Sequence, residues 1–354
     1  MKGLILSGGK GSRLRPFTYT GAKQLMPIAN KPVLFYAVES LAEAGIHDVG
    51  IVVGDTREQV MEAVGDGSRF GLEVTYIDQP APLGIAHAVK ISEDFLDGEP
   101  FVLYLGDNFL RGGIGSFVQE FRRSSPQCLV MLRQVPNPQD FGVARIVDGR
   151  MLGVVEKPKD PPSDLAVIGI YMFDRRVFEA VHSIKPSARG ELEITDTIQY
   201  LIDNGCDVRH RVVCEEWIDT GKMEDILEAN RLILETLQPR QEGSVDEDSR
   251  LQGTVVLEKG CRIVNSVICG PSIIGEDTEI VDSFVGSFTS IYHHSTVRNS
   301  EVANCIILEN TVIENVGQRI EDSLIGRNVT VNGRNRLPRS YRLVLGDFSQ
   351  VWAP

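Results

Sequence analysis

Two cations and two carboxylates define the chemistry open to this sequence: Arg13 and Lys23 near its start, Asp107 and Asp219 far downstream. Arg13 lies inside Gly8-Gly9-Lys10-Gly11-Ser12-Arg13-Leu14-Arg15-Pro16, directly after the apolar run Leu4-Ile5-Leu6. Glycines there let backbone approach a ligand closely and line up N–H groups, which suits a polyphosphate. Arg13 and Lys23, flanking such a nest, are placed as phosphate clamps. Arg15 and Lys31 are expected only to shape the local field. Asp107 ends another apolar run, in Gly106-Asp107-Asn108, and Asp219 sits in Trp217-Ile218-Asp219-Thr220-Gly221. A lone aspartate in such a place is commonly a helix cap or turn former. Two that share one Mg2+ make better sense beside a triphosphate, because Mg2+ takes one or two carboxylates and completes its shell with phosphate oxygens.

Two common nucleotide motifs do not fit. The dinucleotide fingerprint needs a third glycine where this chain has Leu14, and GxxxxGK[ST] is absent. What remains is Gly-Gly-x-Gly-x-Arg-Leu-x-Pro, followed by Lys23-Gln24-Leu25-Met26-Pro27 and Asn30-Lys31-Pro32. That longer pattern closely resembles the sugar-1-phosphate nucleotidylyltransferases. Its Lys-Gln-Leu is similar to the glucose-1-phosphate thymidylyltransferase branch, in the long form that carries a C-terminal repeat domain. The resemblance covers essentially the whole chain. It implies Mg2+-dependent transfer of a nucleotidyl group from dTTP to glucose 1-phosphate, giving dTDP-glucose and pyrophosphate by direct in-line attack.

The same resemblance assigns roles to further residues. Leu6, Gly8, Gly9, Gly11, Gln24, Gln79, Gly84 and Asp107 would bind the nucleotide, with Gln79-Pro80-Ala81-Pro82-Leu83-Gly84 reading the pyrimidine. Gly142, Glu156, Lys157, Val167 and Tyr171 would bind the sugar phosphate, and Asp107 and Asp219 the metal. Gly190-Glu191-Leu192-Glu193-Ile194-Thr195-Asp196 is another match, expected to line the sugar side. Phe141 departs from the tyrosine common in shorter relatives, so any contact from that hydroxyl is lost.

The elements that must position these groups follow from hydrophobic periodicity. Short apolar strands (4–6, 49–53, 72–77, 101–105) alternate with helices (33–44, 57–64, 84–91), which predicts a mostly parallel sheet covered on both faces. Ligands bind beyond the carboxyl ends of such strands. Residues 8–13, 79–84 and 106–108 all fall there. From Cys128 strand-like runs dominate (129–135, 142–147, 152–156, 167–173), a candidate lid or sugar-binding half, before helices return at 193–204 and 223–237. The predicted class is therefore α/β, a Rossmann-like nucleotidyltransferase domain over residues 1–238.

Residues 239–250 are polar and read as a linker. Beyond them aliphatic side chains recur at Ile268, Ile274, Ile280, Val285, Ile291, Val297 and Val302, in steps of six, six and five. Asn265-Ser266, Asp282-Ser283, Asn299-Ser300 and, after a longer interval, Asp322-Ser323 accompany them. Hexapeptide steps closing about every seventeen residues predict a left-handed parallel β-helix, with a tail, over 251–354. His293-His294 raise acyl transfer as an additional activity, since histidine is the commonest general base. A histidine in a coil turn is more often structural.

Composition bounds the partners. A formal charge of −13 over 354 residues argues against nucleic acid or an anionic membrane. Six cysteines without C-x-x-C spacing read as reduced thiols. No apolar run approaches the roughly 20 residues needed to span a bilayer, and the first residues do not form a signal peptide. A cytoplasmic homo-oligomer is expected. The alternatives are a uridylyltransferase acting on glucose or N-acetylglucosamine 1-phosphate, a bifunctional acyltransferase, and a non-catalytic regulatory subunit. The presence of all four charged residues argues against the last.

Overall fold

The structure, a computed structural model, describes residues 1–9, 11–333, 343 and 345–352. Lys10 of the glycine loop, and residues 334–342, 344, 353 and 354 of the expected tail, lie outside the described residues. The chain forms two compact units. One comprises Met1–Lys10, Gly21–Leu25 and Val33–Asp219, the other Gly11–Thr20, Met26–Pro32 and Thr220–Pro354.

The first unit is built on a nine-stranded sheet. Strand Lys2–Ser7 lies inside it, parallel to Asp48–Val53 on one side and Phe101–Leu105 on the other, with Glu73–Asp78 extending the parallel half. Both faces of Lys2–Ser7, Asp48–Val53 and Phe101–Leu105 are covered, which is why they read as largely apolar runs, whereas Glu73–Asp78 at the end of the row alternates exposed and half-buried residues. Ile5 packs with Ile51 and Tyr104 on one face, while neighbouring Leu4 packs with Val52 and Leu103 on the other. The strand-rich segment after Cys128 is the antiparallel half of the same sheet. Leu165–Phe173 pairs antiparallel with both Phe101–Leu105 and Cys128–Gln134. The hairpin of Gly142–Val147 and Arg150–Glu156 continues outward from it.

Helices Val33–Glu43, Arg57–Val64, Ile85–Ile91 and Ile194–Asp203 lie where periodicity predicts them. Periodicity does not predict the single turn Glu93–Leu96 or two longer helices, Gly115–Ser124 and Val177–Ser183. Each of the longer two buries an i, i+1, i+4 set (Phe117, Val118, Phe121; Val177, Phe178, Val181). The pattern spans barely two turns in each, too short to stand out from flanking glycines or strands.

In the second unit the C-terminal strands stack into three parallel sheets of six, six and five strands, a left-handed parallel β-helix. The aliphatic residues at hexapeptide spacing form its axis, Ile268, Ile274, Ile280, Val285, Ile291, Val297 and Val302 all being fully buried. The coil starts earlier than expected. Arg240–Gln241 and Ser244–Val245 already pair in parallel with Val255–Leu257 and Arg262–Val264, so residues 239–250 are its first turn rather than a linker. Their polarity reflects an end coil that faces solvent on its open side. Helix Met223–Leu234 belongs to this unit. Its buried Asn230 accepts from Ala29 N–H (2.9 Å) and Ser290 Oγ (2.6 Å) and donates to Phe288 O (3.1 Å).

The Asn/Asp-Ser pairs are coil corners. Asn265, Asp282 and Asn299 have φ of 42°, 48° and 44°, a left-handed conformation that Asn and Asp tolerate better than other side-chain-bearing residues. The serines form a ladder: Ser266 Oγ accepts from Ser283 N–H (3.0 Å), and Ser283 Oγ from Ser300 N–H (3.3 Å). Asp322 does not continue this column. Asn315 does, taking a hydrogen bond from Asn299 (3.1 Å), whereas Asp322 stacks on Asn304 (2.5 Å) at another corner. The extra residues between Asn315 and strand Ile320–Glu321 lengthen that coil and break the seventeen-residue step. Forcing a β-branched residue into such a corner should cost about 1–2 kcal/mol. Asn299→Val should therefore lower the unfolding temperature measurably, and Asn299→Gly much less; equal effects of the two would refute the conformational explanation.

Candidate active site

The centre of the site is a charge cluster in the first unit. Lys23 Nζ lies 2.5 Å from Asp107 Oδ2 and 3.7 Å from Asp219 Oδ1. Two short strands bring the aspartates together: Asn108–Leu110 pairs antiparallel with Trp217–Asp219, setting Asp219 opposite Asn108. Asn108 then orients its neighbour. Its Nδ2 donates to Asp107 Oδ1 (2.9 Å), while its Oδ1 accepts from Trp217 Nε1 (2.7 Å). Burial acts to raise the Asp107 carboxyl, but the Lys23 ammonium, with the Lys23 and Asn108 hydrogen bonds, outweighs it and holds it below the usual carboxylate range. The side chains of Lys23 and Asp107 are only 7% and 21% exposed, so the attraction is poorly screened by water.

These residues suit a divalent cation. Among the described residues no group of three or more His, Cys, Asp or Glu side chains could hold a metal. A pair of carboxylates matches Mg2+ that draws its other ligands from phosphate and water. The Lys23 ammonium between the two carboxylates is itself a stand-in cation: the pair already requires positive charge.

The glycine loop leaves strand Lys2–Ser7 at its carboxyl end, where Leu6 O accepts from Gly106 N–H (2.9 Å) and holds the Gly106-Asp107 turn against the strand. A Cβ on Gly8 would lie 3.3 Å from Gln79 Oε1, and one on Gly9 would lie 3.5 Å from Gln24 Nε2. Gln24 is 2% exposed, and its Oε1 has no hydrogen-bond partner among the described residues. A buried acceptor left unmade costs about 1–3 kcal/mol, so it marks a position suited to a ligand donor. Arg13 and Gly11 belong to the second unit. Gly11, at φ 59°, starts the short helical turn Ser12–Leu14, and exposed Arg13 extends from that turn.

The expected pyrimidine and sugar segments are fastened together. Leu83 O accepts from Leu192 N–H (2.8 Å), and Leu192 O from Ala86 N–H (3.1 Å). Gly84, at φ 103°, has no room for a side chain, since a Cβ would lie 2.3 Å from Leu192 O. On the sugar side a Cβ on Gly142 would lie 2.6 Å from Thr195 Cγ2 and 3.3 Å from Glu156 Oε2. Glu156 accepts from Thr195 Oγ1 (3.3 Å) and pairs with Arg189 (3.2 Å). Lys157 follows with φ 40°, a strained backbone for lysine of the kind found where function constrains the chain. Val167 and Tyr171 are buried; Tyr171 stacks on Phe173, and burial together with the Glu156 carboxylate pushes its phenol up. Phe141 packs edge-on against Trp217 (5.6 Å).

Three residues escape sequence reasoning. Arg189 reaches Glu156, Glu191 and Glu193 at once, and the Gly190-Glu191 motif beside it was the available signal. His87 lies 3.1 Å from Gln79 and had no signal beyond its helix. Asn108 was read only as the neighbour of Asp107. In the second unit His293 Nδ1 accepts from Glu276 N–H (2.9 Å), which commits that nitrogen to the coil corner and supports a structural role.

The cluster predicts a coupled effect on stability. Lys23→Met removes the ammonium 2.5 Å from Asp107 and should cost about 1–3 kcal/mol, less than the roughly 3–5 of a fully buried pair because Asp107 retains some solvent contact. Adding Asp107→Asn should recover part of that loss in denaturant unfolding. The folded Asp107 value lies below the unfolded one of about 3.9. Its contribution is therefore complete above about pH 4 and is lost as pH falls through the lower folded value. Additive losses in the double variant would contradict the pairing.

Residues 2–236 match the sequence model of the nucleotidyl transferase family. A glucose-1-phosphate thymidylyltransferase from Streptomyces griseus is 54% identical over 352 residues, 99% of each chain. One from Streptomyces antibioticus is 52% identical over 353 residues, again 99% of each. A crystal structure of a protein described as a glucose-1-phosphate thymidylyltransferase from Bacillus anthracis, in complex with sucrose, superposes with a TM-score of 0.64 at 37% identity, covering 68% of this chain and 98% of that one. The glycine loop, the Lys23–Asp107–Asp219 cluster and this likeness along the whole chain lead to one assignment: the chain belongs to the nucleotidyl transferase family, in the branch of the long glucose-1-phosphate thymidylyltransferases.

Proposed function

We propose that this chain transfers a thymidylyl group from dTTP to α-D-glucose 1-phosphate, releasing pyrophosphate and forming dTDP-glucose. The observation that carries the reading is identity above one half with thymidylyltransferases along the full chain, joined to a cation held between two carboxylates at the carboxyl ends of the parallel strands. A phosphate oxygen of the sugar phosphate attacks the α-phosphorus. The bond to the β-phosphate bridging oxygen breaks, and that electron pair leaves with pyrophosphate. The nucleophile is already an anion, so no side chain has to remove a proton. The enzyme's work is alignment and neutralisation of charge.

Within that scheme Lys23 is a phosphate cation and the N–H groups of Gly8 and Gly9 face the triphosphate, while the roles of Gly11 and of Arg13 as the second cation rest on the sequence pattern. Asp107 and Asp219 would hold Mg2+, which when bound supplies further charge neutralisation on the phosphates. Gln24, with its unpaired buried oxygen, and Gln79, beside Gly8 and Gly84, contact the nucleoside. Gly142, Glu156 and Val167 form the sugar side, and Lys157 and Arg189 bring positive charge for the sugar phosphate. The acid cluster around Arg189 offsets much of that charge until an anion arrives. A cytoplasmic, homo-oligomeric enzyme completes the proposal. Among the described residues no helix is long and apolar enough to cross a membrane. The β-helix is assigned to assembly or regulation.

Pyrophosphate release across a grid of nucleoside triphosphates and sugar 1-phosphates tests the substrates. dTTP with glucose 1-phosphate should lead. UTP, which lacks the methyl and adds a 2′-hydroxyl, should follow within a modest factor unless the ribose is sterically excluded, because a methyl-sized difference in an apolar pocket is worth about 1–3 kcal/mol. A preference for GTP or ATP would overturn the pyrimidine assignment. Asp107→Asn and Asp219→Asn should each reduce turnover on the order of 10²-fold or more and raise the Mg2+ requirement, with folding retained. Normal turnover in both variants would remove these carboxylates from the site.

A further inference from the structure

Gln79 follows strand Glu73–Asp78 and is tied to the neighbouring strand by its N–H to Val53 O (2.8 Å). A primary amide carries one acceptor oxygen and two N–H donors, and a rotation of half a turn exchanges them. In Gln79 both hydrogens are engaged on one side. Nε2 donates to Gly84 O at 3.2 Å and approaches His87 Nδ1 at 3.1 Å. The oxygen is consequently turned the other way, toward the glycine loop, where it lies 3.3 Å from the place a Gly8 Cβ would occupy. His87 stands on helix Ile85–Ile91, and its Nδ1 accepts only as the neutral Nε2–H tautomer. Burial and the nearby Lys90 charge push His87 below its ordinary value and favour that neutral form.

We propose that His87 is a specificity-determining positioning residue: by accepting one Gln79 amide hydrogen it fixes the glutamine oxygen toward the nucleoside, so that the site selects a base presenting a ring N–H. The inference rests on the reading of Gln79 as a base contact. Thymine and uracil carry N3–H as a donor. Cytosine has an unprotonated N3 in that place, an acceptor facing an acceptor, and is rejected. If the amide rotated, its two N–H groups would face the base and cytosine would become the better partner. Gly84 O alone opposes that rotation through one hydrogen bond; His87 adds the second and makes the orientation determinate.

The test is steady-state kinetics with dTTP and with dCTP at saturating glucose 1-phosphate, on the wild-type chain, His87→Ala, His87→Asn and Gln79→Ala, with thermal unfolding of each. His87→Ala should lower the dTTP-to-dCTP ratio of kcat/KM by about 3- to 10-fold, the worth of one net hydrogen bond. The change should fall on KM rather than kcat. His87→Asn, whose Oδ1 can accept in place of Nδ1, should restore most of the ratio. Gln79→Ala should lose more of it than His87→Ala. An unchanged ratio in His87→Ala with a lowered one in Gln79→Ala overturns the role of His87 and leaves Gln79 in place. An unchanged ratio in both overturns the base-reading assignment, and the inference with it. Equal losses in His87→Ala and His87→Asn, accompanied by equal drops in melting temperature, show a packing role and also overturn it.

Discussion

The arrangement depends on placing like charges together. Asp107 and Asp219 lie close enough to share one ammonium group, Lys23, in a place largely withdrawn from water. Two carboxylates so placed are unfavourable unless positive charge accompanies them. That requirement accounts for much of the local architecture. The Asn108–Trp217 hydrogen bond fixes the face of Asp107, the short antiparallel pair aligns it with Asp219, and Leu6 O holds Gly106 against the first strand. In the proposed function, a polyphosphate brought with Mg2+ would meet that requirement.

The same economy of backbone holds the proposed nucleotide and sugar sides together. Leu192 donates to Leu83 O and accepts from Ala86 N–H, lying so close that only glycine fits at position 84, and Gly142 similarly leaves room only for the side chains of Thr195 and Glu156. Close backbone approach of this kind fixes distances without spending side chains, so Gln79, Glu156 and Arg189 keep theirs for the ligand contacts proposed above. In the second unit Asn230 plays a comparable part, joining three segments with one amide.

Much of this was legible in the amino-acid sequence, for a physical reason. Signals that repeat or that need a particular residue type survive without coordinates: the glycine loop, the fully apolar central strands, and the hexapeptide steps from Ile268 to Val302, every one of which points into the coil. What escaped depends on contacts between distant residues. Lys23 read as a phosphate clamp, and nothing nearby in sequence announced its pairing with Asp107, 84 residues away. His87 looked like an ordinary helical residue, because its importance lies in the amide it faces across the loop. The polar stretch 239–250 resembled a linker since an end coil shares a linker's composition. The lengthened coil after Asn315 moved Asp322 to another corner, which periodicity alone could not resolve.

The central claim is that catalysis here is charge neutralisation and alignment of an anionic nucleophile, with no enzyme-bound nucleotidyl intermediate. It is tested most directly by the stereochemical course of the reaction, using dTTP made chiral at the α-phosphorus by sulfur substitution and glucose 1-phosphate as acceptor. A single in-line displacement predicts inversion at phosphorus in the dTDP-glucose product. Retention would require two successive displacements through a covalent enzyme intermediate, and would contradict the account.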